Sequence, residues 1–375
     1  MSLGELLKKI KPFLAMVFLQ FGFAGMYVIS VLSLKRGMSH YVLVVYRNAI
    51  AAVVIAPFAL WFERKGRPKM TTSCFLKILL LGLLEPVLDQ NFYYMGTKAT
   101  SASFSAALFN SLPAMTFVLA VILRVEKIRI KSRRSQAKII GTAVTVIGAL
   151  VMILYKGAVI DMIWTKGRHH EDSASGNQDD AHWLAGTFML LFSCFCWAAF
   201  FILQSHTLKS YPAELSLTTL ICLFGMMESG AVALVMERSS KAWKVGWDTG
   251  LFTAAYSGVV CSGVAYFMQG IVMKERGPVF VTAFQPLCMI IVTVLGSIIL
   301  AEDITVGRVI GAVIIVLGLY MLIWGKGKDQ VGQSIETEEK KGNVELPKSV
   351  VNGDQHENGL EYFTVVDIQQ SKINP

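Results

Sequence analysis

Ten apolar runs, each about as long as a membrane-spanning helix, dominate the sequence. A helix needs roughly 20 mostly apolar residues to cross the hydrocarbon core of a bilayer. Polar and charged residues collect between the runs, where short loops are expected. We therefore predict an all-α polytopic membrane protein with ten transmembrane helices, at residues 12–34, 41–62, 75–97, 103–123, 135–155, 184–204, 215–236, 249–271, 279–299 and 306–325.

The two halves of the chain repeat one another at a nearly constant offset. Each half holds five apolar runs, an odd number, so the second copy should enter the bilayer from the opposite side. Such inverted repeats are typical of alternating-access carriers. Matching pairs, in chain order, are Leu34 and Leu208, Gly82 and Gly258, Glu126 and Glu302, Gly141 and Gly311, and Gly148 and Gly318.

Basic residues in the loops predict the orientation of the chain in the membrane. One side collects about twice as many Lys and Arg residues as the other, and the richer side is expected to face the cytosol. Both termini then lie inside. The predicted order is a cytosolic N-terminus (1–11), a first five-helix repeat (12–157), an extracellular linker (158–183), a second five-helix repeat (184–327) and a disordered cytosolic tail (328–375).

Composition supports a membrane protein and argues against nucleic acid as a partner. Only 16% of the residues are charged, 54% are apolar, and the mean hydropathy is +0.54, whereas a soluble domain carries roughly 25% charged residues. The net charge of +9 comes from Lys and Arg in short loops, which membrane topology explains. The expected surroundings are a lipid bilayer, and the sequence leaves homo-oligomerisation open.

No catalytic or metal-binding motif stands out, so neither an enzyme nor a cofactor is expected. A phosphate-cradling Gly-x4-Gly-Lys-Ser/Thr motif is missing, which argues against an ATP-driven pump. The six cysteines lie in or beside apolar runs without zinc-finger spacing, which predicts small core residues. His169, His170 and His182 fall in the polar linker, where a solvated position is expected.

Four ionisable residues lie inside apolar runs, and each is a functional candidate because a charge in hydrocarbon is costly. Arg47 is in run 2, Glu85 and Asp89 are in run 3, and Glu228 is in run 7. Glu85 and Asp89 are four residues apart and should share a helical face, so one of them should hold a proton or a cation partner. Similar depth suggests an Arg47–Asp89 pair, with Glu85 as the proton-exchangeable group. A static structural network is the alternative, and for Glu228 an interhelical hydrogen bond is the alternative.

Buried amides and aromatic residues complete the candidate site. Amides in hydrocarbon must face a partner or a wet cavity, and Asn110 and Gln285 occupy matching places beside Pro113 and Pro286, where the helix can bend. Among the aromatic residues Trp197 is a candidate, whereas most others should be packing or interfacial residues. The candidate substrate-binding residues are Gln20, Arg47, Asn48, Glu85, Asp89, Gln90, Asn91, Asn110, Trp197, Gln269 and Gln285, with Glu85 and Asp89 as proton-exchange candidates.

Glycines recur at seven-residue spacing in runs 5 and 10. Small residues at such spacing let two membrane helices approach closely. We therefore predict a tight seam between the fifth and tenth helices, formed by Gly141, Gly148, Gly311 and Gly318.

Several local sequences resemble the EamA-type branch of the drug/metabolite transporter superfamily, and within it the plant nodulin-like group. That group includes the "walls are thin" related proteins and the "usually multiple acids move in and out" amino-acid carriers. The resemblance covers residues 12–327. It rests on Leu19-Gln20-Phe21-Gly22, Tyr46-Arg47-Asn48, Leu84-Glu85-Pro86, Asp89-Gln90-Asn91, Leu208-Lys209-Ser210-Tyr211-Pro212 and Arg276-Gly277-Pro278-Val279-Phe280-Val281.

The resemblance implies a bidirectional amino-acid facilitator or exporter of broad specificity at the plasma membrane, with the vacuolar membrane as the alternative. The acidic pair Glu85 and Asp89 is similar to the amino-acid-carrying branch. Cys261 and Ala265 stand at the matching places in run 8, so an asymmetric site is expected. Alternatives are a carrier of another small metabolite, such as auxin or a purine, and a membrane scaffold acting through its tail. In that tail Tyr362-Phe363-Thr364-Val365 fits a motif for the sorting machinery.

Overall fold

The computed structural model is helical in nearly all of the part that it describes. Its helices belong to one compact unit, which spans Met1–Asp329. The predicted tail, most of the predicted linker, residues 156–158 and residues 300–303 lie outside the described residues. The described residues are 3–100, 105, 108–126, 132–155, 159–160, 180–240, 242–244, 246, 248–299, 304–307, 309–322 and 324–325.

Six α-helices can be bounded among the described residues of the first half. A π-helical segment, Leu83–Asp89, joins α3 to α4 without a break, and a 3-10 turn, Phe109–Ser111, leads into α5. Pro86 lies inside the π-helical segment, and because proline has no N–H group it cannot continue an α-helical ladder. The helices are α1 (Leu3–Lys35), α2 (His40–Phe62), α3 (Thr72–Gly82), α4 (Gln90–Ala99), α5 (Leu112–Ile122) and α6 (Arg133–Leu154).

The second half follows the same plan. A π-helical segment again interrupts its third helical stretch, at Ser257–Val264, and the helix is again interrupted before a proline-containing helix, between Thr282 and Gln285. The helices are α7 (Asp180–Ser210), α8 (Glu214–Met236), α9 (Thr249–Tyr256), α10 (Ala265–Arg276), α11 (Pro278–Thr282), α12 (Gln285–Ile299) and α13 (Val309–Leu322).

Two boundaries differ from the sequence prediction. Helix α1 begins at Leu3 rather than near residue 12, since no helix-breaking residue lies between Glu5 and Lys11. Helix α7 begins at Asp180, inside the predicted linker. A two-residue antiparallel pair also occurs, in which β1 (Val159–Ile160) bonds to β2 (Ile304–Thr305).

Within the described residues, five helical stretches are long and apolar enough to cross a bilayer. Three more apolar helices, Phe109–Ile122, Pro278–Val292 and Val309–Leu322, are shorter. Large apolar side chains also face outward, such as Trp61, which is 83% exposed, and a surface of this kind suits lipid rather than water. The five long stretches are Ile10–Leu34, His40–Phe62, His182–Ser210, Glu214–Met236 and Thr249–Arg276.

Helices of the first half pack mainly on helices of the second half. Helix α2 runs along α8, α4 along α7, and α1 along α12. The six cysteines are all free and buried, as predicted. This interleaving brings side chains that are more than 100 residues apart in the chain to the centre of the bundle.

The predicted glycine seam is confirmed. A Cβ atom added at Gly141 of α6 would lie 2.6 Å from the backbone nitrogen of Leu322, and one at Gly148 would lie 2.9 Å from that of Ile315. From the other side, a Cβ atom at Gly318 of α13 would lie 2.6 Å from the backbone nitrogen of Thr145. Backbone thus meets backbone along α6 and α13, which only glycine allows at these positions.

Candidate functional site

A small cavity of about 40 Å³ lies inside the bundle, between α1, α2, the first π-helical segment, α4 and α7. This is room for roughly three water molecules, so a small-molecule ligand enters only if the surrounding helices move apart. Every lining residue except Trp197 comes from the first half of the chain. The polar lining residues are Arg47, Glu85, Asp89 and Gln90, and the apolar and aromatic ones are Phe23, Met26, Tyr27, Tyr93, Tyr94, Phe109 and Trp197.

Arg47 pairs with Glu85 across the cavity. Its Nη2 atom lies 3.7 Å from Oε1 of Glu85, and the residues are only 5% and 4% exposed. Arg47 also donates from Nε to the hydroxyl of Ser262 at 2.7 Å and from Nη1 to the sulfur of Met26 at 3.5 Å. Three separate groups therefore hold the guanidinium in one orientation.

Glu85 accepts hydrogen bonds from two further side chains. The Nε2 atom of Gln90 lies 3.0 Å and 3.1 Å from its two carboxylate oxygens, and the hydroxyl of Tyr266 donates to Oε2. A buried carboxylate is tolerated when a cation and hydrogen-bond donors surround it. Glu85 is accordingly the carboxylate that the protein itself neutralises.

Asp89 has a different and sparser environment. The hydroxyl of Ser193 donates to Oδ1 of Asp89 at 2.5 Å and lies 3.0 Å from its backbone oxygen. Asp89 is 6% exposed, and no cationic nitrogen of the described residues lies within 4.0 Å of its carboxylate. The predicted Arg47–Asp89 pair, with Glu85 unpaired, is therefore wrong. Arg47 forms its ion pair with Glu85 instead.

The π-helical segment explains this exchange of partners. The prediction assumed an α-helix, in which residues four apart share a face. In a π-helix the hydrogen bonds run from residue i to i+5, and the chain turns less with each residue. Within Leu83–Asp89 this wider turn changes the direction in which both carboxylates point, and Glu85 meets Arg47 of α2 and Tyr266 of α10 while Asp89 meets Ser193 of α7.

Aromatic rings form one wall of the cavity. The centroids of Tyr27 and Tyr93 are 5.9 Å apart, those of Tyr93 and Phe109 are 4.9 Å apart, and those of Phe109 and Trp197 are 5.7 Å apart. Trp197 was a predicted site residue, whereas the tyrosines and Phe109 were expected mainly to pack. The sequence left open which aromatic residues besides Trp197 would line the cavity.

Six predicted site residues are buried but do not line the cavity. Asn48 donates to the backbone oxygen of Val44 at 2.9 Å, and Asn91 donates to that of Val87 at 2.7 Å, so both turn back on their own helices. Glu228, the fourth ionisable candidate, is half-buried and lies against Gly82 of α3. The six residues are Gln20, Asn48, Asn91, Asn110, Gln269 and Gln285.

Asn110 and Gln285 nevertheless lie where the helices are interrupted, as predicted. Asn110 is in the 3-10 turn that precedes α5, and Gln285 is the first residue of α12. The side-chain nitrogen of Asn110 is buried without a hydrogen-bond partner among the described atoms.

Ser193, Ser262 and Tyr266 complete the site from the second half. The two serines are fully buried hydroxyls inside apolar helices, and nothing in their local sequence distinguishes them from serines that bond to their own helix. Their positions opposite Asp89 and Arg47 could only come from the packing of one half on the other.

Comparison with known proteins finds the same family in both halves of the chain. The sequence model of the EamA-like transporter family matches residues 10–154 and again residues 184–324. WAT1-related protein At1g21890 of Arabidopsis thaliana is 58% identical over 334 residues, which are 87% of this chain and 86% of that protein. WAT1-related protein At4g08300 of the same plant is 54% identical over 347 residues, 92% of each chain.

One crystal structure of a protein has the same fold, with a TM-score of 0.59 over 82% of this chain and 98% of its own, at 15% sequence identity. The two family matches, the plant relatives and this fold agree with the resemblance seen in the sequence. The chain belongs to the EamA-like transporter family, whose members are integral membrane transporters of small molecules.

Proposed function

We propose that this protein is a bidirectional amino-acid facilitator or exporter of broad specificity that works by alternating access. The observation that carries the proposal is the central cavity, where one guanidinium and two carboxylates lie within a single small space. A free amino acid presents both an ammonium and a carboxylate group, so it needs partners of both signs. Arg47, Asp89 and the unpaired oxygen of Gln90 offer them.

The binding step follows from the environments of the two carboxylates. The ammonium of the amino acid would bind to Asp89, whose side-chain donor among the described residues is the hydroxyl of Ser193. Its carboxylate would approach Arg47 by displacing Glu85, whose contact with the guanidinium is long at 3.7 Å. Few polar contacts and a wall of aromatic rings would leave the amino-acid side chain weakly specified, which permits broad specificity.

Proton exchange belongs more naturally to Asp89 than to Glu85, because a carboxylate without a cation in low dielectric favours a proton. We propose that protonated Asp89 alternates with ammonium-bound Asp89. The titratable groups that interact electrostatically with Asp89 are Arg47, Glu85, Tyr27, Tyr93, Tyr94, Cys194 and Cys196. Substrate-evoked currents at several external pH values test this, and currents and apparent affinity independent of pH would contradict it.

We propose ten membrane spans arranged as two inverted five-helix repeats. The two family matches, at residues 10–154 and 184–324, support a duplicated unit. The π-helical segments at Leu83–Asp89 and Ser257–Val264 support it too, since they occupy matching places in the two halves.

The expected membrane is the plasma membrane, with both termini in the cytosol. The test uses protease-sensitive tags fused to the two ends of the full chain in intact cells. Both tags should resist external protease until the cells are permeabilised. Digestion of one tag in intact cells would contradict an even number of spans.

The transport function is tested by uptake of labelled glutamine into cells that express equal surface amounts of each variant. Asp89→Asn keeps the size of the side chain and an acceptor for Ser193 but removes the charge that would bind the ammonium. Uptake should fall about tenfold or more, since a hydrogen bond to a charged group contributes roughly 1.5–3 kcal/mol.

The matched control is Glu228→Gln, which removes a carboxylate from the membrane region but outside the cavity. It should keep most of the uptake. Unchanged uptake in Asp89→Asn, or in the double variant Glu85→Gln and Asp89→Asn, would contradict the proposed site.

A carrier of another small metabolite with an aromatic ring is the second candidate. The aromatic wall of Tyr93, Phe109 and Trp197 favours it, because rings prefer offset or edge-to-face contacts with other rings. Efflux of a panel that includes auxin, purines and amino acids separates the two. Efflux of auxin or a purine without any amino acid would favour this second function.

A further inference from the structure

Charge is unevenly shared in the cavity, which is lined by one guanidinium and two carboxylates. Arg47 and Glu85 largely cancel one another as an ion pair. Asp89 remains, with a neutral hydroxyl as its hydrogen-bond donor. The empty cavity therefore carries one negative charge in excess when both carboxylates are ionised, and an uncompensated charge in such a site is costly.

A second acceptor faces the same space. Gln90 is only 5% exposed, and its Nε2 atom donates hydrogen bonds to Glu85. Its Oε1 atom is buried and has no hydrogen-bond partner among the described atoms. A buried acceptor of this kind lacks a donor, and a ligand with N–H groups would supply one.

The aromatic wall provides a third feature of the same kind. Tyr27, Tyr93, Phe109 and Trp197 form a continuous chain of rings beside these acceptors. The faces of such rings carry partial negative charge and attract ammonium groups, more strongly when water is excluded. Carboxylate, amide oxygen and ring faces all favour a cation.

The sites for an anion, in contrast, are already taken. The guanidinium of Arg47 is engaged by Ser262, Met26 and Glu85. A ligand carboxylate must displace Glu85, which would lose its cation while remaining close to the incoming negative charge. A ligand that is only a cation meets no such obstacle.

We propose that organic ammonium ions without a carboxylate group, in particular alkylamines that carry an aromatic ring, are ligands and cargo of this cavity. The inference deepens the proposed function, since it uses the same site and adds a substrate class. An amine neutralises the excess charge completely, an amino acid leaves the net charge unchanged, and a carboxylic acid increases it. The expected order of binding is therefore amine, then amino acid, then acid.

Three compounds that share one ring test this order: phenethylamine (a cation), phenylalanine (a zwitterion) and phenylacetate (an anion). The full chain is purified and reconstituted into liposomes. Binding of each compound is measured by calorimetry on the wild-type protein, which requires no variant. Phenethylamine should bind at least as tightly as phenylalanine, and phenylacetate at least about tenfold more weakly than either.

Transport provides the second measurement, with labelled phenethylamine taken up by the same liposomes. Asp89→Asn should reduce this uptake about tenfold or more, whereas Asp89→Glu, which keeps the charge, should retain part of it. Glu228→Gln again serves as the control outside the cavity. If Asp89→Asn does not fold, the wild-type binding series alone decides.

The outcomes separate this inference from the proposed function. Phenylalanine bound and carried while phenethylamine is neither bound nor carried overturns the inference and leaves the amino-acid function intact. Phenethylamine carried without phenylalanine supports the inference and overturns the amino-acid function. Phenylacetate bound as tightly as phenethylamine overturns the inference, because the excess negative charge would then have no effect.

Discussion

Glu85 is the residue on which the charge balance of the cavity depends. It is the anion that pairs with Arg47, and it accepts hydrogen bonds from Gln90 and Tyr266 as well. Asp89, only four residues later, has no such set of partners. Two carboxylates in one short segment thus have separate environments, and in the proposed function Asp89 is the one that binds the ligand.

A pair of substitutions tests this division. Glu85→Gln leaves the Arg47 guanidinium buried without its anion, and breaking a buried pair in this way costs about 3–5 kcal/mol. Thermal unfolding of the full chain in detergent should therefore show a clearly lower Tm. Asp89→Asn should change the Tm little, since asparagine can still accept a hydrogen bond from Ser193.

The double variant Arg47→Gln and Glu85→Gln is the control for this prediction. It removes both charges, so it should recover part of the stability that Glu85→Gln loses. A Tm loss in the double variant equal to the sum of the losses in Arg47→Gln and in Glu85→Gln would show that the pair does not interact energetically.

At the residue scale, the sequence identified the ionisable groups but not their partners. Charges inside apolar runs are costly, which is why Arg47, Glu85 and Asp89 could be selected from the sequence. Their pairing depends on how far the chain turns between residues 85 and 89, and this local geometry has no hydropathy signal. Ser193 and Ser262 were missed because a serine inside an apolar helix usually bonds to its own backbone.

At the scale of the elements, the glycine seam between α6 and α13 is the most testable feature. Gly141→Ala would place a Cβ atom 2.6 Å from a backbone nitrogen of α13, and a backbone atom cannot move aside without shifting its helix. Overpacking of this kind typically costs about 1–3 kcal/mol. The Tm of the purified chain should fall accordingly.

Gly230→Ala is the matched control. Gly230 also lies within a helix, α8, but a Cβ atom there would meet nothing within 4 Å. Since the gain in helix propensity is the same for both substitutions, the difference between them isolates the seam. A Tm for Gly141→Ala equal to or above that for Gly230→Ala would contradict close packing of α6 on α13.

The elements themselves were largely predictable. Apolar runs of about 20 residues mark helices whatever the tertiary context, and helices lie in all ten predicted stretches that the structure describes in whole or in part. Pro113 and Pro286 also indicated where helices are interrupted. The π-helical segments were not predicted, since an apolar run looks the same whether its hydrogen bonds span four residues or five.

At the scale of the whole molecule, duplication was visible in the sequence, but the way in which the copies pack was not. The spacing repeats predict two similar modules, and the EamA-like family model matches each half of the chain. Which faces they share depends on complementary surfaces, such as α2 against α8 and α4 against α7, that no single segment encodes. The cavity arises at this shared face, so its full lining could not be derived from either half alone.

The side chains that would bind cargo also form hydrogen bonds between the two halves of the protein. Arg47 bonds to Ser262, Glu85 to Tyr266 and Asp89 to Ser193, and each of these bonds crosses between the halves. Cargo that binds to the charged groups would break these bonds between the halves. Without cargo, the bonds would hold the two halves together. Exchange of solutes should therefore be faster than net uptake. Phenylalanine preloaded inside liposomes is expected to increase the rate of entry of labelled phenylalanine several-fold. Equal rates with and without preloading would show that the bonds between the halves do not slow the return of the unloaded carrier.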